Sequence, residues 1–329
     1  VRVLSEMKTA IIQRILLGFF LLIAVIVLNF LLLQLAPGDV VDAMLAEGGG
    51  GDPVLAAKLR AAYGLDQPVY IQLFKYLGQV LTGDLGYSFY YDDSVSALIL
   101  GHLPTTLMLT LSALVVAVGV GTLFGVYAAI KPRGIFSNFV TVFSLLGYAT
   151  PVFWLGMIIL LVFALYLPLF PAFGIRSIPE PEQWFDRILD LINHLVLPVF
   201  TLAILYLANY SRLSRASMLD VLGADYIRTA RTKGLSEFKV IFKHALKNAA
   251  LPVVTMAGLQ LGHIFSGAVL VETVFSLPGL GPLLYESIMR RDYPVILGVL
   301  FGAAATTIVA NIITDMVYKW MDPRIQSIT

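Results

Sequence analysis

The chain has 329 residues, of which 58% are hydrophobic and 13% charged, with a formal net charge of +1. A soluble domain carries roughly a quarter charged residues, so this balance excludes an ordinary soluble protein and points to a chain that crosses a membrane repeatedly. Near-neutral charge argues against a nucleic-acid partner, and the absence of cysteine excludes disulfides and thiolate metal sites.

A hydrocarbon core of about 30 Å takes roughly 20 apolar residues in helical form. The first predicted span covers Ile11 to Leu35. It is too long for a signal peptide and ends in LAPGD rather than a small-residue cleavage pattern, so it is expected to be retained. Residues 37–104 then form a predicted helical insertion outside the membrane. There Asp52 and Pro53 read as N-cap and first residue of a helix ending at Gly64, and Pro68 opens another ending near Gly83. Tyr70, Leu73, Phe74, Leu77 and Leu81 are the expected buried face of that second helix. Five further spans follow, at Thr105 to Ile130, Phe136 to Leu167, Leu195 to Tyr210, Leu251 to Val271 and Val295 to Val317. The third contains Pro151 and is longer than one crossing needs, so it is expected to tilt or kink. Six spans must all be helical, because bare backbone polar groups are not tolerated in lipid.

Alternate connections differ in charge. Fifteen of the 22 Lys and Arg residues fall on the side of the two termini, and seven on the other. The positive-inside rule therefore predicts both termini in the cytoplasm, along with the loop at about 212–250.

That loop holds six of the basic residues between Arg228 and Ala249. A purely topogenic loop needs nothing more than its charge. Here Leu219, Leu222, Tyr226 and Ala230 recur at helical spacing up to Gly234, which is expected to end the helix in a left-handed cap. Ser236 is a predicted N-cap for a second helix, with Leu235 and Val240 as its staple. Phe238, Phe242, Ala245, Leu246 and Ala249 are its expected apolar face, and Lys239, Lys243 and Lys247 a basic row. Two amphipathic helices meeting at a bend suit either a groove on another protein or an anionic membrane surface.

Outside the fifth span, VFSLPGLGPL (Val274 to Leu283) predicts a short hairpin packed at the outer mouth, in place to contribute to a gate; an ordinary tight turn has the same composition. Within that span Gln260 and His263 either line a substrate path or satisfy backbone groups between packed helices. No two of the four histidines stand at i, i+3 or i+4, so no metal site is expected. The glycine run Gly48 to Gly51 lacks the Lys and Ser/Thr of a phosphate loop. No catalytic constellation is present, and neither inverted repeats nor enough intramembrane ionisable residues for a gradient-driven carrier are evident.

Several segments together resemble one family. Tyr226-Ile-Arg-Thr-Ala-Arg-Thr-Lys-Gly234-Leu235 resembles the cytoplasmic signature of the dipeptide, oligopeptide and nickel branch of ABC-importer permeases. LAPGD at Leu35 to Asp39, YGLDQPVYIQ at Tyr63 to Gln72, GDLGYSF at Gly83 to Phe89 and ETVFSLPGLG at Glu272 to Gly281 agree with it. Arg228-Thr229-Ala230 stands where the wider superfamily has Glu-Ala-Ala, so no glutamate role is carried over.

The resemblance implies an all-α, six-span permease of the type I importer fold in a bacterial inner membrane. Residues 1–36 would hold the tail and first span, 37–104 the extracytoplasmic insertion, and 105–329 a five-helix core with its coupling loop. Tyr226, Arg228, Thr229, Ala230, Arg231, Lys233, Gly234, Leu235 and Phe238 would contact an ATPase subunit. Phe275, Pro278, Gly279 and Gly281 would stand at the outer gate, near a docked binding protein. Implied partners are a homologous permease, two ATPase subunits that hold ATP and Mg2+, and an extracytoplasmic binding protein; no cofactor is expected on this chain. Short peptides lead as cargo, followed by glutathione-like solutes and nickel chelates.

Overall fold

A computed structural model describes residues 2–35, 38–39, 41–42, 45, 53–261 and 264–321. They divide into two compact units, one of residues 1–104 with 282–312 and one of 105–281 with 313–329.

In the first unit, α1 (Arg2–Gln34) packs on α3 (Val69–Leu81), with the Phe30 and Tyr76 rings stacked at 6.2 Å. Helix α2 (Pro53–Tyr63) starts at its proline, and the chain leaves it through Gly64 at φ +69°, a left-handed exit that glycine makes cheaply. The predicted buried face of α3 is corrected: Tyr70, Phe74 and Leu81 are exposed and Val80 is the buried residue. The helical period is there, but among the described residues no second layer covers those three positions. Asp39 and Asp42 are held by charge, since Arg60 bonds Asp39 at 2.7 Å and Asp42 at 2.5 Å. Burial pushes the Asp39 carboxyl up, but the Arg60 guanidinium and the N–H groups of Asp42 and Val41 outweigh it and hold the group below the usual range.

A two-stranded hairpin, β1 (Tyr87–Ser88) and β2 (Asp93–Ser94), leads into α4 (Val95–Ile130). Its buried Ser88 hydroxyl donates to Asp292, Tyr91 donates to Glu286 at 3.0 Å, and Arg290 lies over the Tyr90 ring at 3.7 Å. The strands are too short to hold themselves, so these ties fix the hairpin. Burial pushes the Asp292 carboxyl above the usual range, and bonds from Ser88 and the Val295 N–H oppose this without cancelling it. A raised folded pKa means that the contribution to stability is full below the unfolded value of about 3.9 and is lost as pH rises through the folded one. Thermal unfolding followed from pH 4 to 8 should therefore show a downward slope with rising pH that Asp292→Asn flattens. An identical slope in that variant would refute the assignment.

In the second unit, α7 (Trp184–Leu222) is the hub, packing against α5 (Ile135–Ala149), α6 (Val152–Leu160), α11 (Leu251–Leu261) and α12 (Ile264–Val274). At 39 residues, it is about twice what a bilayer core requires, and it exceeds the predicted Leu195 to Tyr210 at both ends. The third predicted span is two helices. Thr150 and Pro151 are extended, and the halves meet at 107°, with a π-helical turn (Leu161–Tyr166) closing the second. Proline removes a donor and disfavours helix in the residue before it, so the expected kink becomes a break.

Among the described residues, three helices are long and apolar enough to cross a membrane: Val95–Ile130, Trp184–Leu222 and Tyr293–Thr314. The last belongs to α14 (Tyr293–Met321), which follows α13 (Leu280–Arg290). The bent pair brings the count to four if it is one span, and Leu16–Leu32 and Leu251–Leu261 are shorter apolar helices.

Candidate functional site

The basic loop stands on a close crossing of α4 and α7. A Cβ on Gly121 would lie 2.9 Å from the Tyr210 Cβ and 3.2 Å from the Leu207 carbonyl. On Gly125 it would lie 2.6 Å from the Ser211 carbonyl and 2.7 Å from the Arg215 nitrogen. Glycines four apart let the two backbones touch, as small residues do in membrane helix pairs. A buried hydroxyl completes the seam, Ser214 donating to the Thr122 carbonyl at 3.0 Å, and Ser144 of α5 bonds Ser211 of α7 beside it at 2.8 Å. The sequence reading passed over this crossing, although the spacing Gly121-x-x-x-Gly125 was its visible signal.

Beyond the crossing the chain breaks at Gly223 and Ala224, and α8 (Asp225–Thr232) begins. Then come α9 (Glu237–Lys239), a π-helical turn (Val240–Ala245) and α10 (Leu246–Ala249). Their inner faces share one core: Ile227, Ala230, Val240, Ile241, Ala245 and Ala249 pack on Val126 and Ala129 of α4 and Met218 of α7. Ile227 and Ala230 are the buried residues of the first helix, while Tyr226, expected on the docking face, is exposed. In the second helix Phe238 is 71% exposed and Val240 fully buried, because the wider π turn rotates it relative to a uniform α-period.

Gly234 ends α8 as expected, at φ +77°. A Cβ there would meet nothing within 4 Å, so glycine is required by backbone conformation and not by space. Across the bend, Arg231 pairs with Glu237 at 2.9 Å, an exposed bridge worth at most about 1 kcal/mol. Ser236 has the extended backbone of an N-cap but makes no side-chain cap bond. Asn248 donates to the Tyr226 hydroxyl at 2.8 Å, which ties α10 to α8. Tyr226, Leu235 and Phe238 are thus each exposed above a buried base, Phe238 resting on Phe242 with ring centroids 4.8 Å apart. Arg228, Thr229, Arg231 and Lys233 are exposed with them, while Ala230 is committed to the core.

At the other candidate site, Glu272 is fully buried in α12 and accepts a bond from the Gly281 N–H at 2.8 Å. That N–H belongs to the first turn of α13, where donors lack helical partners and a carboxylate is favoured. The Leu280 N–H bonds the buried Thr106 hydroxyl at 2.9 Å. The glycines of the motif follow from this. A Cβ on Gly279 would overlap the Glu272 carboxyl, and one on Gly281 would come within 2.6 Å of the Val269 Cα. Phe275 and Leu277 are buried, the Phe275 carbonyl accepts from the Gly174 N–H at 3.0 Å, and Pro278 is exposed. Sequence reading singled out Phe275, Pro278, Gly279 and Gly281 but omitted the carboxylate that organises them.

Gln260 is half-buried, with its side chain in reach of the Tyr206 hydroxyl. His263 lies outside the described residues. Among the described residues no cluster of three or more potential metal ligands occurs.

Residues 121–327 match the family described as "Binding-protein-dependent transport system inner membrane component", and residues 7–110 match its N-terminal companion, "Binding-prot-dependent transport system membrane comp, N-term". The chain belongs to this family. It is 39% identical over 325 residues to the "Oligopeptide transport system permease protein AppB" of Bacillus subtilis (strain 168), covering 97% of this chain and 100% of that protein. It is 40% identical over 316 residues to the "Di/tripeptide transport system permease protein DppB" of Pseudomonas aeruginosa (strain UCBPP-PA14), covering 92% and 94% of the two. To the "Dipeptide transport system permease protein DppB" of Escherichia coli (strain K12) it is 38% identical over 321 residues, covering 92% and 94%. Membership makes the chain the inner-membrane component of a transport system that relies on a separate binding protein, and not itself an enzyme.

Proposed function

We propose that this chain is one of two homologous permease subunits of an ATP-driven importer of short peptides. Its relatives' names supply the cargo class. The observation that carries the mechanism is the outward face of Tyr226, Leu235 and Phe238, rimmed by exposed cations and seated on the α4–α7 crossing.

In this reading the chain crosses the membrane six times, with both termini and the basic loop in the cytoplasm. The α1 helix, the α4, α7 and α14 spans, the bent α5–α6 pair and the α11–α12 pair provide the crossings. The loop inserts into a cleft on an ATPase subunit, its aromatic residues as anchors and Arg228, Arg231 and Lys233 at the rim. Two ATPase subunits bind ATP and Mg2+, and their closure pushes on the loop. Because the base of the loop shares a core with α4 and α7, that displacement moves the spans as a body and alternates the access of a shared cavity. The hairpin from Phe275 to Gly281 serves the outer gate, beneath the binding protein.

Two variants test this. Phe238→Ala removes an exposed ring and should leave the chain folded, yet weaken capture of the ATPase subunits by about 2 kcal/mol, or about 30-fold, in copurification. Gly234→Trp forces a large residue into a left-handed position at a strain of about 1–2 kcal/mol and fills the face itself. It should insert normally, while ATP-dependent uptake of a labelled dipeptide into proteoliposomes falls at least about tenfold. Full uptake by Gly234→Trp, or uptake by the chain without any ATPase, would overturn the proposal.

A further inference from the structure

Where α4 ends and α5 begins, a groove of about 650 Å³ opens to the surface. Its walls are Leu123, Phe124, Tyr127, Ile130 and Phe136, and Lys131 stands at its end. Leu123, Tyr127 and Phe136 are each more than 40% exposed, so they are not consumed by packing within the chain. Phe124 and Tyr127 both meet the Phe136 ring edge-on, at 5.7 and 6.5 Å, which gives the groove a stiff aromatic wall.

The cap of the groove is cationic. Lys131 and Arg133 are exposed on the turn that joins the helices. Arg215 of α7 donates to the Pro132 carbonyl between them at 3.3 Å. Its Nε is buried without a hydrogen-bond partner. Among the described residues no acid forms an ion pair with any of these three cations, and no acid lines the groove. An apolar slot at the end of a membrane helix, with Lys131 at its end and exposed Arg133 on the same turn, matches one amphiphile: an acyl chain below and a phosphate above.

We propose that this groove binds an anionic phospholipid of the phosphatidylglycerol class, its acyl chain along Tyr127 and Phe136 and its phosphate beside Lys131 and Arg133. The lipid belongs to the leaflet on the side of the basic loop. Because Tyr127 also meets Phe242 of that loop at 6.3 Å, the bound chain touches the ring that links the span to the loop.

The test uses the assembled transporter in nanodiscs of equal phosphatidylglycerol and phosphatidylcholine, with photoreactive p-benzoylphenylalanine in place of Tyr127. After irradiation, mass spectrometry should find the chain crosslinked to phospholipid, phosphatidylglycerol exceeding phosphatidylcholine at least about fivefold, as one surface cation alone would give. In the Lys131→Ala/Arg133→Ala double variant, whose altered side chains are exposed, that preference should fall to near one while total lipid crosslinking persists. Crosslinking to a second permease would overturn the proposal by showing that protein covers the groove. Equal labelling of the two lipids, or a preference unchanged in the double variant, would overturn it as well.

Discussion

Gly125→Leu is expected to abolish transport and to leave little folded protein in the membrane. The added side chain has no rotamer that avoids the Ser211 carbonyl and the Arg215 nitrogen, because even its Cβ would lie 2.6–2.7 Å from them. Overpacking in a compliant core costs about 1–3 kcal/mol, since side chains there can shift. Here the opposing atoms are backbone of a hub helix, so relief requires α4 and α7 to separate. Separation would break the Ser214–Thr122 bond and the core beneath the basic loop. Against a total stability of about 5–15 kcal/mol that is decisive. Gly125→Ala should give an intermediate loss, and Gly119→Ala, whose Cβ would meet nothing within 4 Å, should be nearly silent. Size-exclusion profiles of the solubilised variants, with uptake measured beside them, decide the matter. A monodisperse, active Gly125→Leu would show that the helices do not cross there.

The outer hairpin offers the second large effect, and it is one of coupling between two positions. Glu272→Ala removes the acceptor of the Gly281 N–H in a buried place, which should cost about 2–3 kcal/mol. Gly279→Ala should cost at least as much, because its new Cβ falls on the Glu272 carboxyl. The three nearest atoms to that Cβ all belong to Glu272. In Glu272→Ala/Gly279→Ala the obstruction is therefore gone, and the double variant should be no less stable than Glu272→Ala alone. Thermal unfolding of the four proteins forms a complete cycle, with an expected interaction of about 2–3 kcal/mol in the sense of rescue. Simple additivity would mean that Gly279 is required for some reason other than the carboxylate.

Much of this protein was legible in its residues because the relevant physics is local. Long apolar runs forbid a soluble fold whatever their neighbours do, and the runs at Thr105 to Ile130 and Val295 to Val317 lie within α4 and α14. Helix ends at Gly64 and Gly234 were readable because the left-handed backbone is a property of one residue. The family was readable from motif strings, which are themselves records of such local demands.

What the sequence could not decide was which surface of each helix would be covered. Tyr226, Ala230, Phe238, Ala245 and Ala249 had the spacing of one apolar face offered to a partner or a membrane, yet Ala230, Ala245 and Ala249 pack inward with Ile227 and Val240 while Tyr226 and Phe238 stay exposed. The aromatic stripe of α3 had the period of a buried face and has no covering layer among the described residues. Glu272 stood in a motif string with no role of its own, and the return of the chain at Gly281 brought a helix start against it. In each case burial was settled by a second segment distant in sequence, and periodicity within one helix holds no information about what will pack against it.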